Sequence, residues 1–401
     1  MVTDTDVVVV GAGIVGAATA RAITERFPGI DVLVVDKATA PAQHQTGRNS
    51  GVLHSGCYYE PDSAKAALVR EGRAALRSFC SDHGIPIVDS GKVVVATRVS
   101  ELVPLAQIER RARAGGIATR RLGGRDLATI EPYARGVAAL SVPSTSAVDF
   151  RAVTRALLDD VAAAGGEFRG DTEVRSVVAG PSGLGVATTA GTIRARWLVN
   201  CAGLQSDRVA QRCGAQLDVR IVPFRGDYFE LTADGLDLCR TMIYPVPDPR
   251  WPFLGVHLTR GVDGSVHAGP TAVLALGREA YTGGVDRTDA RALLADRALR
   301  RLAARYWTTG AAELLRSRSV RLVARALQRM VPDLRTEHLR PSSSGIRAQA
   351  LRDDGTLVDD FEFASSPRAV HVVNAPSPAA TASLAIGRVV TDRLAAVMAD
   401  T

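Results

Sequence analysis

Hydrophobic positions along this chain change their period in a way that separates strands from helices. Val7-Val8-Val9-Val10 is an unbroken apolar, β-branched run, and Asp31-Val32-Leu33-Val34-Val35 carries a second one. Runs of this kind predict strands buried on both faces. Residues 17–26, between them, are small and helix-compatible. Residues 40–56 are polar and glycine-rich. Over 62–83, Ala66, Leu68, Val69, Ala74, Leu76 and Phe79 fall on one helical face. Further helices are predicted over 101–114, 124–130 and 150–164, the last ending at Gly165-Gly166, a C-cap signal. Strands are predicted over 92–97, 173–179, 184–188 and 193–200, with Gly180-Pro181-Ser182-Gly183 turning between two of them and a helix opening at Ser206. From 219 to 269 the pattern becomes strand-rich, with turns at Pro245-Val246-Pro247-Asp248-Pro249 and Asp263-Gly264. Residues 287–326 read as mostly helical and arginine-rich. Asp354-Gly355 marks a hairpin within 345–360, residues 369–374 form a strand, and a helix closes the chain. No repeat or low-complexity linker interrupts this, so the chain weaves between an α/β domain and a strand-rich one.

The link between the first two strands carries the first chemistry. Gly11-Ala12-Gly13-Ile14-Val15-Gly16 follows Val10 directly, a helix follows Gly16, and Asp36 ends the second strand. In that strand–turn–helix–strand setting a GxGxxG is a dinucleotide-binding fingerprint. Gly11 permits the tight turn, Gly13 lets the backbone approach a pyrophosphate, and Gly16 lets the helix pack on the strand. The helix N-terminus offers N–H groups and a positive dipole end to phosphates. Asp36 can accept from ribose hydroxyls, and its charge disfavours a 2′-phosphate. At the other end of the chain, Ser377 is placed to cap the last helix with Pro378 at its first position. The small residues Ala379, Ala380, Thr381, Ala382 and Ser383 follow. Such a start either admits a planar ring close to backbone N–H groups or is an ordinary capped helix.

Composition narrows the class. At 401 residues the chain has room for two or three domains and a large core. No apolar run reaches the roughly 18–20 residues that span a bilayer. The α/β fold begins by Thr5, which leaves no room for a leader, so a cytoplasmic location is expected. The five cysteines (Cys57, Cys80, Cys201, Cys213, Cys239) show no CxxC and no framework spacing, which fits reduced thiols. The net charge of +7 is almost all arginine, since Lys37, Lys65 and Lys92 are the only lysines. These arginines are dispersed and lack interleaved aromatics, so composition bias explains them better than a nucleic-acid partner. Contact with an anionic membrane surface, such as peripheral attachment at an inner membrane, or with an anionic substrate, is the remaining use for the charge.

The motifs taken together resemble the L-2-hydroxyglutarate dehydrogenases and oxidases, within the D-amino-acid-oxidase-like flavoproteins. The residues that carry the resemblance are Gln45-Thr46-Gly47-Arg48-Asn49-Ser50-Gly51-Val52-Leu53-His54-Ser55-Gly56-Cys57-Tyr58-Tyr59, Ile243-Tyr244-Pro245-Val246-Pro247-Asp248-Pro249, Gly255-Val256-His257-Leu258-Thr259, Ser344-Gly345-Ile346-Arg347-Ala348-Gln349 and Asn374-Ala375-Pro376-Ser377-Pro378-Ala379-Ala380-Thr381. They span nearly the whole chain. The resemblance implies FAD rather than NAD and a Rossmann-like, glutathione-reductase-type FAD domain. It also implies an interleaved α+β substrate domain on a largely antiparallel sheet. The expected division is 1–85, 145–218 and 335–401 for the FAD domain, and 86–144 and 219–334 for the substrate domain. The FAD contacts expected on this basis are Gly11, Gly13, Ile14, Val15, Gly16, Asp36, Lys37, Thr46, Arg48, Asn49, Ser50, Gly51, Val174, Ala202, Gly203, Gly345, Ile346, Pro376, Ser377, Pro378, Ala379, Ala380 and Thr381. One of them departs from the family: histidine is expected where Arg48 stands. A permanent cation touching flavin or substrate there would alter redox potential or substrate fit.

Oxidation of a 2-hydroxy acid needs a hydride acceptor, a base for the hydroxyl proton and cations for the carboxylates. FAD supplies the first, since no side chain accepts a hydride. Histidine suits the second. His54, in the segment that the resemblance places by the flavin, and His257, at a predicted strand, stand level as the base, the other then binding a carboxylate. His44 lies nearer the pyrophosphate segment. Arginine suits the third. Arg225 and Arg347 have the most motif-like contexts, with Arg260 and Arg278 as alternatives, and Tyr58, Tyr59 and Tyr244 can hydrogen-bond a carboxylate. Each of these has a plain structural alternative as a surface ion pair or core aromatic. Cys57 is not expected to link to flavin, and no metal-ligand spacing is present. The expected activity is FAD-dependent oxidation of L-2-hydroxyglutarate, or a close 2-hydroxy dicarboxylate, to 2-oxoglutarate. Electrons would pass to a quinone or another carrier. An amine oxidase of the glycine oxidase type is the second reading, and a flavin-bearing binding protein without turnover is the third.

Overall fold

The computed structural model describes residues 2–248 and 254–400. Pro249, the last residue of the turn expected at 245–249, lies outside them. The first strand, Val2–Val10, is the centre of a parallel arrangement. Its neighbours are Val32–Val35 on one side and Gly191–Asn200 on the other, with Glu167–Arg169 beyond the first and Ala369–Asn374 beyond the second. Both faces are covered, which is why the strands are apolar throughout. Val7 and Val9 pack with the helices Ile14–Arg26, Phe150–Ala163 and Ala379–Ala399. Val8 and Val10 pack on the opposite side with Leu184, Val186 and Val209. The start of Gly191–Asn200 also pairs antiparallel with Gly183–Thr188, which in turn pairs with Val174–Gly180.

The second large sheet is mainly antiparallel. Val219–Leu231 pairs with Leu339–Arg352 along its length and with Val266–Gly269 and Val273–Leu274 on its other side. Val266–Gly269 leads through His257–Arg260 and Ile243–Pro245 to Lys92–Ala96, the last of these pairings being parallel. Ala138–Val142 and Arg120–Leu122 complete it. Alternate residues face opposite cores, as a two-sided sheet requires. Val93 and Val95 meet the helix Val320–Leu327, whereas Val94 and Ala96 meet Leu102–Ala114. Leu339–Arg352, grouped by sequence with the FAD-binding segments, is thus hydrogen-bonded into the second sheet, and the chain rejoins the first only at Glu362–Ser366.

Most predicted helices are present within a residue or two, and residues 287–326 form three, Arg287–Ala295, Arg297–Ser317 and Val320–Leu327. The start of the last helix differs from expectation. It begins at Ala379 with Pro378 at the cap position, and no side chain caps it. Ser377 is one residue too far out for its hydroxyl to serve the first turn. None of the five cysteines is bonded to another. Among the described residues no helix is long and apolar enough to cross a membrane, and no cluster of side chains is arranged to hold a metal ion.

Candidate active site

Both sheets border one continuous cleft of about 700 Å³, within the range typical of ligand sites. At its first end lies the glycine turn. Gly11 has φ +107°, and a Cβ there would sit 2.5 Å from the carbonyl oxygen of Cys201. The helix Ile14–Arg26 starts at Gly13 with no side-chain cap and no acidic residue in its first turn. The Ile14 N–H donates to Thr46 Oγ1 at 3.0 Å. Asp36 holds the turn in place, accepting from Ala12 N–H at 2.7 Å and Ala38 N–H at 2.9 Å. The helix Ala379–Ala399 presents a second uncapped N-terminus, and Ala379, Ala380 and Thr381 line the same cleft. Two uncapped helix starts, each free of acidic side chains and open to one elongated cavity, fit a ligand that carries a pyrophosphate at one place and an electron-accepting ring at another.

The segment that follows Val273–Leu274 of the second sheet closes over the first end. Tyr281 OH lies 3.0 Å from His44 Nδ1, and the Arg48 guanidinium sits 4.3 Å from the centre of the Tyr281 ring. Glu279 forms an ion pair with Lys37 and accepts from Gln205 Nε2 at 3.1 Å. Its base is fixed by Arg278, whose guanidinium pairs with buried Asp207 (Nη2–Oδ2 2.8 Å). Residues 277–286 therefore form a clasp. Burial pushes the Tyr281 hydroxyl up to about 12, so it stays protonated. The Arg48 cation is thus engaged by this clasp, and its Nε donates to the Gln43 carbonyl at 3.2 Å.

The other end of the cleft is lined by His54, Tyr228, Tyr244, His257 and Arg347. Strand register brings them together: His257 opens a strand beside Ile243–Pro245, and Arg347 sits opposite Phe224. His257 Nδ1 lies 2.7 Å from the Gly255 carbonyl. A carbonyl only accepts, so Nδ1 carries the proton and Nε2 keeps a lone pair. The His257 ring stacks on Tyr244 with centroids 4.1 Å apart. His54 is positioned through its backbone N–H, which donates to Thr381 Oγ1 at 3.1 Å. Both imidazoles are held neutral. Desolvation, with Lys92, His257 and Lys65 nearby, lowers His54 to about 3. Desolvation, with Arg347 and Lys92 nearby, lowers His257 to about 4, against the opposing hydrogen bond to Gly255. Burial holds Tyr244 well above the usual phenol range and raises Tyr228 as well, so both remain donors.

Gly11, Gly13, Ile14, Val15, Asp36, Lys37, Thr46, Arg48, Asn49, Ser50, Val174, Ala202, Gly203, Gly345, Ile346, Pro376, Ser377, Pro378, Ala379, Ala380 and Thr381 all border the cleft. Gly16 and Gly51 do not. Gly16 packs against the turn, where a Cβ would lie 1.8 Å from the Gly11 carbonyl oxygen. Gly51 shapes its loop at φ +66°, with its N–H on Asn49 Oδ1 at 2.8 Å. Arg225 is not among the residues that border the cleft, and its guanidinium pairs with Asp227 (Nε–Oδ1 2.9 Å). The alternatives are engaged too, Arg260 by the Cys239 carbonyl at 2.9 Å and Arg278 by Asp207. Tyr58 and Tyr59 stand behind the wall, under Lys92 and Lys65. Those two lysines, Tyr228 and the clasp were not singled out by sequence. For the lysines the available signal was their rarity in a chain whose cations are otherwise arginine.

Comparison with known proteins agrees with this geometry. The family described as FAD dependent oxidoreductase matches residues 6–393. The L-2-hydroxyglutarate dehydrogenase of Indibacter alkaliphilus is 43% identical over 389 residues, covering 96% of this chain and 97% of that one. The mitochondrial L-2-hydroxyglutarate dehydrogenase of Homo sapiens is 39% identical, covering 97% and 88%. Among solved structures, the L-alpha-glycerophosphate oxidase of Mycoplasma pneumoniae with FAD bound superimposes with a TM-score of 0.79, at 22% identity over 98% of this chain and 94% of that one. The chain therefore belongs to the FAD-dependent oxidoreductase family, and FAD is its cofactor.

Proposed function

We propose that this enzyme oxidises L-2-hydroxyglutarate, or a close 2-hydroxy dicarboxylate, to 2-oxoglutarate. The observation that carries the reading is the character of the inner end of the cleft. Two neutral histidines stand there among the cations Arg347, Lys92 and Lys65, while the carboxylate of Asp359 is paired with Lys65 at 2.9 Å. A dianionic substrate and a proton acceptor are what such a site suits. The near-full-length relatives named for this substrate support the same reading.

The residues that would hold FAD are the glycine turn and Asp36 at one end, residues 45–50 and 345–346 along the middle, and the start of the helix Ala379–Ala399 at the other. Bound there, FAD supplies the acceptor for the hydride from C2. The rest is the work of this chain. His257 is the better placed base, because Gly255 fixes the tautomer that leaves Nε2 able to take the hydroxyl proton. Arg347 takes a carboxylate, and Tyr228 and Tyr244 donate hydrogen bonds. The buried wall excludes water from the transfer. Electrons leave to a quinone or other carrier at a peripheral site on an inner membrane facing the cytoplasm. The helix Arg297–Ser317 supports that contact: Trp307, Leu314 and Leu315 are exposed on it amid arginines.

The test is turnover with an artificial dye acceptor, with the product identified. One 2-oxoglutarate formed per two electrons from L-2-hydroxyglutarate is the expected result. Turnover of glycine, sarcosine or glycerol 3-phosphate in its place would overturn the substrate assignment.

A further inference from the structure

Arginines are dispersed along the chain, but the carboxylates that balance them are not. Residues 287–329 hold eleven arginines, no lysine and three carboxylates, a net charge of +8 against +7 for the whole chain. The protein itself takes up all three carboxylates. Asp289, 6% exposed, accepts from Arg278 N–H at 2.8 Å and pairs with Arg208. Asp296 pairs with Arg220 and accepts from Leu299 N–H at 2.9 Å. Glu313 pairs with Arg316 and accepts from Ala272 N–H at 3.1 Å. The outer side is therefore positive, with Arg300, Arg301, Arg305, Arg318 and Arg321 exposed on it.

An apolar stripe lies between these arginines. The helix Arg297–Ser317 buries only Ala298, Leu299 and Leu302. Beyond Tyr306, where the backbone leaves helical values (φ −121°, ψ 22°), it buries none of its residues. Trp307, Ala311, Leu314 and Leu315 recur there at the spacing of one helical face. All four are exposed, Trp307 by 69% and Leu315 by 63%. Glu313 and Arg316 lie on the opposite face, so the contact with Ala272 turns the apolar stripe outward.

We propose that this stripe docks on an anionic lipid surface, with Trp307, Leu314 and Leu315 in the interface and the flanking arginines on the headgroups. The inference deepens the membrane contact of the proposed function and rests on it. Tryptophan and leucine on one helical face, bordered by arginine, is the pattern of a helix lying in the plane of a membrane surface. Tryptophan favours the headgroup level, and arginine stems can lie along apolar surface while their guanidinium groups stay among phosphates. The helix is not apolar enough to cross a bilayer, so it lies on one. Pairing with a second copy through the same face would bring two segments of charge +8 together, which is repulsive. Docking also sets the bilayer close to the cleft, because Ala272 is two residues from the cleft-lining Pro270.

The experiment floats the holoenzyme with vesicles of phosphatidylglycerol and phosphatidylcholine, and with vesicles of phosphatidylcholine alone. Binding to the anionic vesicles alone, reversed by salt, is expected. Tryptophan emission should shift to the blue on binding, and the shift should be lost in Trp307→Phe. Arg305→Gln combined with Arg318→Gln should weaken partitioning about tenfold or more, at about fivefold per charge. Trp307→Ser, Leu314→Ser and Leu315→Ser together should weaken it at least about tenfold. Both combinations should keep the wild-type melting temperature and turnover with a soluble dye. Equal binding to neutral vesicles overturns the proposal, as does polyglutamate that binds as tightly with the same emission shift. A dimer in lipid-free solution that the triple variant splits also overturns it. A triple variant that binds like wild type refutes this surface while leaving a membrane contact elsewhere. Vesicle binding by an enzyme that does not oxidise L-2-hydroxyglutarate would defeat the substrate reading and leave the docking surface standing.

Discussion

Two alanine substitutions three residues apart should separate folding from cofactor binding. At Gly16 an added Cβ would lie 1.8 Å from the Gly11 carbonyl oxygen and 3.0 Å from its carbon, both backbone atoms. The helix would have to move away from the strand by more than an ångström. Overpacking of that kind costs about 1–3 kcal/mol, so Gly16→Ala should lower the melting temperature of the apoprotein by several degrees. At Gly13 the added Cβ meets only Thr46 Oγ1, at 3.2 Å. The backbone there, φ −75° and ψ 173°, already suits alanine. Losing glycine at an N-cap costs below about 1 kcal/mol, so the apoprotein should melt nearly as the wild type does. Its methyl would, however, project where Gly13 borders the cleft, on the approach proposed for the pyrophosphate. Losing about 1.4–3 kcal/mol of binding there weakens FAD affinity by roughly ten- to a hundredfold. Thermal melts of both apoproteins and fluorescence titrations with FAD read the two effects. A Gly13→Ala protein that binds FAD as tightly as wild type would refute the reasoning, and so would a Gly16→Ala apoprotein of unchanged stability.

Three other outcomes follow from the same geometry. His54, His257 and His371 are lowered by burial to about 3, 4 and 4 respectively. In the unfolded chain they bind protons below about pH 6.5, so each can remove up to about 1.4 kcal/mol of stability per pH unit as pH falls from 6.5 towards 4; melting temperatures between pH 7 and 5 should drop, and constant values would contradict the burial argument. Tyr281→Ala removes the hydrogen bond to His44 and the ring under Arg48, and should speed FAD release about tenfold, whereas Glu279→Gln, at a half-exposed ion pair, should change it only two- to fivefold. Stopped-flow dilution against excess apoprotein of a tighter flavin binder measures both, and equal wild-type rates would remove the clasp from the account. Asp207→Ala leaves Arg278, 8% exposed, without its partner and frees the Ile221 N–H. Chemical denaturation should show a loss of about 3–5 kcal/mol, and a loss below 1 would contradict the network.

The parts legible in the sequence are those whose pattern is set locally or by burial on both faces. Val7 to Val10 reads as a strand because helices cover one side and Val186, Leu184 and Val209 the other. The helix Phe150–Ala163 is marked by its own Asp149 cap, which accepts from Arg151 N–H. Ala138–Val142 was not legible, since Ala-Ala-Leu-Ser-Val has no strong strand pattern and becomes one only by pairing with Lys92–Ala96 and Arg120–Leu122. Long-range partners hid the rest of the site. Tyr281 meets His44 across 237 positions of sequence, and Lys92 heads an apolar strand where a charge ordinarily marks the solvated end. Arg225 pairs locally for a reason the strand period supplies. Asp227 lies two residues on in the same strand, which puts both side chains on one face, and the pair closes on itself.

The most direct measurement is an anaerobic absorbance titration of the holoenzyme with L-2-hydroxyglutarate, with the D-isomer, L-lactate and glycine in parallel. Loss of the flavin band near about 450 nm at one equivalent of the L-isomer, with little change from the others, is the predicted result. A flavin that stays oxidised with L-2-hydroxyglutarate, or that is bleached by glycine instead, would contradict the central claim.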